Sequence, residues 1–239
     1  MKIPRCLLSL GILLGGMSAL QATNIGFGNL GGSNTRVPSD LGSFASTDGK
    51  GYVIALGGPT PNIALEWDSD WDIHTSDHFA ALEQKFVGGG AWDNEGAVPR
   101  IGQLDFGFHT IQFHADPGYA LVLSFFDFAL TGENPSATTS WKLTLTSLSE
   151  GIDVWTQTVD FTVEGGVSDV RVIAPNFTGE FGESYILTFE RTSQSFNSDG
   201  RHGIDNLQFS QVAVPEPGTV ALLASAGLGL LFVTRRRSK

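Results

Sequence analysis

The sequence predicts an all-β protein: a single antiparallel β-sandwich, jelly-roll-like, over 23–212 of a 239-residue chain. Three observations predict it. Apolar and polar residues alternate with period two through most of the middle of the chain, the pattern of strands that bury one face. Clusters of Gly, Pro and Asn punctuate these runs at Gly57-Gly58-Pro59, Gly88–Gly90, Asp116-Pro117-Gly118, Gly132–Pro135 and Gly165-Gly166, as tight connections between antiparallel strands require. Only one stretch, Asp77–Phe86, has a helical pattern, and no repeat of fixed period is present.

The strands follow in order. His109–Phe113 alternates with Ile111 and Phe113 on one face. Tyr119–Leu130, YALVLSFFDFAL, is apolar on both faces; its aromatic content favours a central strand over a buried helix. Trp141–Leu148 directs Trp141, Leu143 and Leu145 one way and Lys142, Thr144 and Thr146 the other. Asp153–Val163 places Trp155, Val159, Phe161 and Val163 together, and Tyr185–Arg191 does the same for Tyr185, Leu187 and Phe189. Gly203-Ile204-Asp205-Asn206-Leu207-Gln208-Phe209 closes the domain.

Both ends differ from the middle. Met1–Ala22 has basic Lys2 and Arg5, then an apolar run and a small-residue close before Thr23, which is the anatomy of a secretory signal peptide. The one cysteine, Cys6, lies inside it, so the mature chain is expected to lack disulfides and thiol chemistry, which suits a bacterial exported protein. At the other end, Thr219–Val233 is 15 apolar or small residues long. As a helix it spans about 23 Å against a hydrocarbon core of about 30 Å, a marginal permanent span. Arg235, Arg236 and Arg237 follow it and would stay cytoplasmic, leaving the domain outside.

Between Thr23 and Gly218 lie all 25 acids but only eight of the 14 Lys and Arg, a formal charge of −17. Such a surface repels nucleic acid and anionic lipid and suits a soluble exported domain.

Pro215-Glu216-Pro217, a short apolar helix over 219–233 and a basic end over 235–239 form a three-part tail over 213–239. This tail resembles the PEP-CTERM sorting signal of exported Gram-negative proteins. The resemblance implies export by the Sec machinery and transient anchoring in the inner membrane. It also implies recognition by an exosortase-type sorting enzyme and processing near Pro215–Pro217, with the cell surface or medium as destination. It is silent on the domain in front. The closing strand 203–209 is similar to the last strand of galactose-binding-like and carbohydrate-binding jelly rolls, in some of which an Asp near this point joins a structural calcium site.

The densest polar stretch is Glu66–His78, EWDSDWDIHTSDH. As one strand it would place Asp68, Asp70 and Asp72 on one face, a candidate calcium site with Asp205 as a further ligand. Trp67 and Trp71 would share the other face and, with Trp92, are candidates for a sugar-stacking platform. Other patterns fail in context. His74 and His78 flank Asp77 where an inverted zinc-protease motif needs Glu, and Gly26–Gly31 matches G-x-G-x-x-G without a preceding strand or following helix. The functional expectation is a non-catalytic surface or matrix protein that binds extracellular polysaccharide. The alternatives are a carbohydrate-active hydrolase using paired carboxylates and a structural biofilm or envelope protein with no ligand.

Overall fold

The computed structural model describes residues 22–27, 30, 35–55, 59–75, 100–104, 107–130, 138–162, 169–195 and 202–214. The signal segment 1–21, the helix expected over 77–86, Trp92 and the tail 215–239 lie outside them. All regular structure described is strand: β1 (Ala22–Ile25), β2 (Thr35–Arg36), β3 (Tyr52–Ala55), β4 (Ile63–Trp67), β5 (Trp71–Thr75), β6 (Arg100–Leu104) and β7 (Phe108–Ala115). The chain continues with β8 (Tyr119–Leu130), β9 (Thr138–Ser147), β10 (Asp153–Thr162), β11 (Asp169–Ile173), β12 (Phe177–Thr178), β13 (Ser184–Gln194) and β14 (His202–Ala213).

The strands make two sheets, and every pairing is antiparallel. One has the order β10-β9-β13-β7-β4. The other runs β11-β8-β14-β6-β5-β2, with β1 joining β14 to β3 and β12 beside β8. β8 spans Tyr119–Leu130, the run expected to be central. It is flanked by β14 on one side and by β11 and β12 on the other, so it is internal to its sheet, and residues on both of its faces are buried.

The inward faces fill the space between the sheets. From the five-stranded sheet come Ile111, Phe113, Trp141, Leu143, Leu145, Val159, Phe161, Leu187 and Phe189; from the other come Trp71, Ile73, Leu121, Leu123, Phe126, Phe128, Ile204, Leu207 and Phe209. Phe128 of β8 meets Trp141 at 5.5 Å, Phe161 at 4.9 Å and Phe189 at 5.7 Å, all edge-to-face. This geometry sets a positive ring edge on a negative ring face and adds about 0.5–1.5 kcal/mol per pair beyond burial. On β14 the strict alternation breaks. Asn206 takes a left-handed φ of 52° at a register shift between Asp205 and Gln208, which lets Ile204, Leu207 and Phe209 all point into the core.

β14 delivers the chain to one end of the sandwich. Ala213 pairs with Tyr119, and the Val214 N–H donates to the Gly118 carbonyl at 2.8 Å. The N-terminal strand enters near the same end, with Ala22 paired to Ser210.

Candidate functional site

The acidic stretch does not form one strand. β4 ends at Trp67 in the five-stranded sheet and β5 begins at Trp71 in the other, so Ser69 and its neighbours Asp68 and Asp70 make the step between the sheets. Trp67 and Trp71 therefore point into the interior from opposite sides. They are 2% and 0% exposed, and their rings meet edge-to-face at 5.2 Å. Trp67 Nε1 donates to the Leu41 carbonyl at 2.9 Å and Trp71 Nε1 to the Thr110 carbonyl at 3.0 Å. The expected sugar platform of Trp67 and Trp71 is thus corrected: with both indole faces and both N–H groups used internally, neither can stack on a ligand.

The expected calcium set of Asp68, Asp70, Asp72 and Asp205 is corrected because its members are spread over the step between the sheets, β5 and β14. Asp68 turns back onto β7, where its carboxylate accepts from the Thr110 backbone N–H, from Thr110 Oγ1 at 3.3 Å and from the Asp70 N–H at 2.9 Å. His109 Nδ1 stands 3.9 Å from Asp68 Oδ1, an ion-pair separation rather than a hydrogen bond. Burial acts to raise the Asp68 pKa; the His109 side chain and the Asp70 and Thr110 N–H groups outweigh it and hold the carboxyl below its usual 3.8. Asp70 sits exposed in the turn with Ser69 Oγ donating to it at 3.1 Å. Asp72 lies on β5 between Arg36 and Gln103, and Asp205 lies on β14, beyond β6. No group of three or more His, Cys, Asp or Glu among the described residues is placed to hold a metal ion.

Asp205 belongs to a different polar group. Its partner in the ladder is Asp127 of β8, which is 3% exposed. Asn206 Nδ2 donates to Asp127 Oδ2 at 2.8 Å, and Asn24 Nδ2 of β1 donates to Asn206 Oδ1 at 3.4 Å. The Asp205 carboxylate accepts from the Asn206 N–H at 2.7 Å and so braces the left-handed residue. Burial pushes the Asp127 carboxyl up to about 6, and the Asn206 hydrogen bond only partly offsets it. The sequence marks Asp205 and Asn206; the one sign of Asp127 is that it is the single charge in the apolar run Tyr119–Leu130.

The outer face of the five-stranded sheet is polar and partly exposed, with Thr144 at its middle buried and Thr156, Thr158, Glu190 and Phe108 exposed. Its registers set Thr156, Thr144, Thr188 and Thr110 side by side across β10, β9, β13 and β7. The neighbouring row is Thr158, Lys142, Glu190 and Phe108. Phe108 ends that row 59% exposed, an aromatic ring standing on a face of hydroxyls, one amine and one carboxylate. Hydroxyl, amide and charged groups hydrogen-bond sugar hydroxyls, and an exposed ring can stack on a pyranose face. Phe108 was detectable in the sequence, because it is out of phase with the inward His109, Ile111 and Phe113.

Residues 213–238 match the family described as the PEP-CTERM protein-sorting motif. No curated protein matches the chain. Among solved structures the chain is similar to an arabinose-bound α-L-arabinofuranosidase, at 10% identity over 82% of this chain and 27% of that one, with a TM-score of 0.39. It is also similar to a carbohydrate-binding module specific for non-crystalline cellulose, at 13% identity over 61% and 86% of the two chains and a TM-score of 0.34. A family 11 carbohydrate-binding module from Clostridium thermocellum, in complex with a β-1,3-1,4-mixed-linked tetrasaccharide, gives 10% identity over 78% and 99% and a TM-score of 0.25. This chain spans about 27% of the length of the arabinofuranosidase.

Two antiparallel sheets packed face to face, followed by this tail, define the class: an all-β sandwich protein carrying a sorting signal. The signal is the PEP-CTERM motif, which makes the chain an exported protein and a substrate of exosortase-type sorting, processed at the membrane.

Proposed function

We propose that this protein is a sorted surface or matrix protein whose sandwich binds extracellular polysaccharide without chemistry of its own. It leaves the cytoplasm through the Sec pathway under the signal segment 1–22. The 219–233 helix then holds it in the inner membrane with the domain outside, and cleavage near Pro215, Glu216 and Pro217 frees it. The observation that carries this reading is the sorting motif over 213–238. The polysaccharide part is supported by the outer face of the five-stranded sheet, where Phe108 stands beside the Glu190, Lys142 and Thr158 row.

Affinity electrophoresis of residues 23–214 in gels loaded with the producing organism's exopolysaccharide tests the binding reading. Retardation that Phe108→Ala reduces at least tenfold is expected. Migration unchanged by any polysaccharide contradicts it and leaves a structural protein with no ligand.

One observation favours the hydrolase reading: Asp127 and Asp205 face each other and Asp127 is raised to about 6, within the range of a general acid. At 3% exposure, however, Asp127 is closed to a glycosidic oxygen. Release of reducing sugar that Asp127→Asn abolishes would establish hydrolysis over binding.

A further inference from the structure

Exposed apolar side chains are not spread evenly over the sandwich. Six of the eight large exposed ones among the described residues, Phe44, Leu148, Ile152, Val154, Phe181 and Val214, gather at one end. Backbone hydrogen bonds fix them there. The Val214 N–H donates to Gly118 at 2.8 Å, the Gly182 N–H to Tyr119 at 2.7 Å, and the Leu148 N–H to Ser184 at 2.9 Å. The Phe44 N–H donates at 2.8 Å to Ile63, whose ladder partner Ala115 ends β7 beside the same turn. The Glu183 carboxylate ties the Phe181 turn to the Leu148–Ile152 turn by accepting from Ser149 Oγ at 2.6 Å, the Ser149 N–H at 3.1 Å and Ser147 Oγ at 3.0 Å. These donors hold Glu183 below its usual pKa, so the tie persists under mildly acidic conditions.

This is also the end from which the sorting tail departs. Only Pro215, Glu216, Pro217 and Gly218 separate Val214 from the apolar run that begins at Thr219. The five extended steps from Val214 to Thr219 reach about 17 Å, so an inserted 219–233 helix keeps Val214 within that distance of its first residue. Apolar side chains brought within reach of a bilayer gain free energy by entering the headgroup and acyl boundary to a depth of about 5–10 Å.

We propose that this end of the sandwich is a lipid-docking surface, seated on the outer leaflet while the tail is anchored, with Phe181 and Ile152 as its deepest side chains. The proposal rests on the reading of the tail as an inserted anchor. It orients the domain so that Phe108, at the far end of β7, points away from the membrane. Asp116, Glu150, Asp153 and Glu180 lie exposed around the same turns, so zwitterionic lipid suits the surface and anionic lipid opposes it.

With Cys6→Ser, the chain offers single-cysteine labelling. The full chain carrying Phe181→Cys, Ile152→Cys or Phe108→Cys, each labelled with an environment-sensitive fluorophore, is reconstituted in phosphatidylcholine vesicles containing brominated acyl chains. Quenching at 181 and 152 at least twofold greater than at 108, lost when 215–239 are deleted and reduced in phosphatidylglycerol vesicles, is expected. A chain that floats with the vesicles while 181 and 152 stay as unquenched as 108 overturns the docking surface alone, as does quenching that requires a co-reconstituted sorting enzyme. A chain that does not float overturns the anchor reading, and the docking surface with it.

Discussion

Trp67 and Trp71, four positions apart, belong to opposite sheets, and their rings meet at 5.2 Å with planes at 89°. The three-residue step between them, Asp68-Ser69-Asp70, is a crossing from one layer of the sandwich to the other. Phe27 packs on Trp67 at 5.6 Å and Phe189 on Trp71 at 5.4 Å, so this contact is the centre of an aromatic cluster at the β4–β5 edge.

Removing either ring therefore opens a cavity in the core. Trp71→Ala should destabilise the domain by about 3–5 kcal/mol, with Trp67→Ala in the same range. Urea unfolding followed by circular dichroism measures this. A loss below about 1 kcal/mol would place the rings at the surface after all.

Asp68 holds the crossing to β7. Asp68→Ala strands the Thr110 and Asp70 N–H groups and should cost about 1–3 kcal/mol. The folded carboxyl titrates below its unfolded 3.8, so its contribution is present above pH 4 and is lost as pH falls through the folded value. Comparing Asp68→Asn with the parent by urea unfolding at pH 7 and pH 3 tests the sign. The gap between the two proteins should narrow at pH 3; a constant gap contradicts the assignment.

Asp127 acts in the opposite direction. Its folded pKa is raised from 3.8 to about 6, so the folded state binds the proton more readily than the unfolded chain. Ionised at pH 7, the buried carboxylate costs up to about 3 kcal/mol, and that cost disappears as pH falls toward 4. Asp127→Asn should stabilise the domain at pH 7.5 and show a smaller advantage at pH 5. Equal differences at both pH values would rule out a titrating Asp127.

His202 sets the acid limit. Buried against Trp141 at 4.7 Å and within 2.8 Å of Thr139 Oγ1, it is pushed from 6.5 down to about 3 by burial, with Arg191 as a second cause. Below pH 6.5 the unfolded chain takes up a proton that the folded imidazole refuses, a loss of about 1.4 kcal/mol per pH unit until about pH 3. His202→Gln keeps a hydrogen-bonding group for Thr139 but cannot titrate. Its melting temperature should fall less steeply than the parent's between pH 6 and pH 4, and parallel curves would refute the role.

The strands were legible because each of the long ones buries one face or both over many residues; Tyr119–Leu130 appears in the structure with the limits read from its apolar run. The Asp68–Asp72 stretch was misread for a physical reason. Alternation within a strand and a short step between two sheets place tryptophans four apart in similar sequence patterns, and only tertiary pairing distinguishes them. Likewise, Asp127 gains its character from Asp205 and Asn206, which lie 78 and 79 positions away in the sequence. Phe108 needed no such partner: its phase against Ile111 and Phe113 already directed it outward.

Intact mass and C-terminal peptide mapping of the protein recovered from its producing organism decide whether the sorting signal over 213–238 is used. The expected mature chain retains Val214, ends near Pro215–Pro217 and has lost Arg235, Arg236 and Arg237. Recovery of surface protein with those three arginines still attached would contradict it.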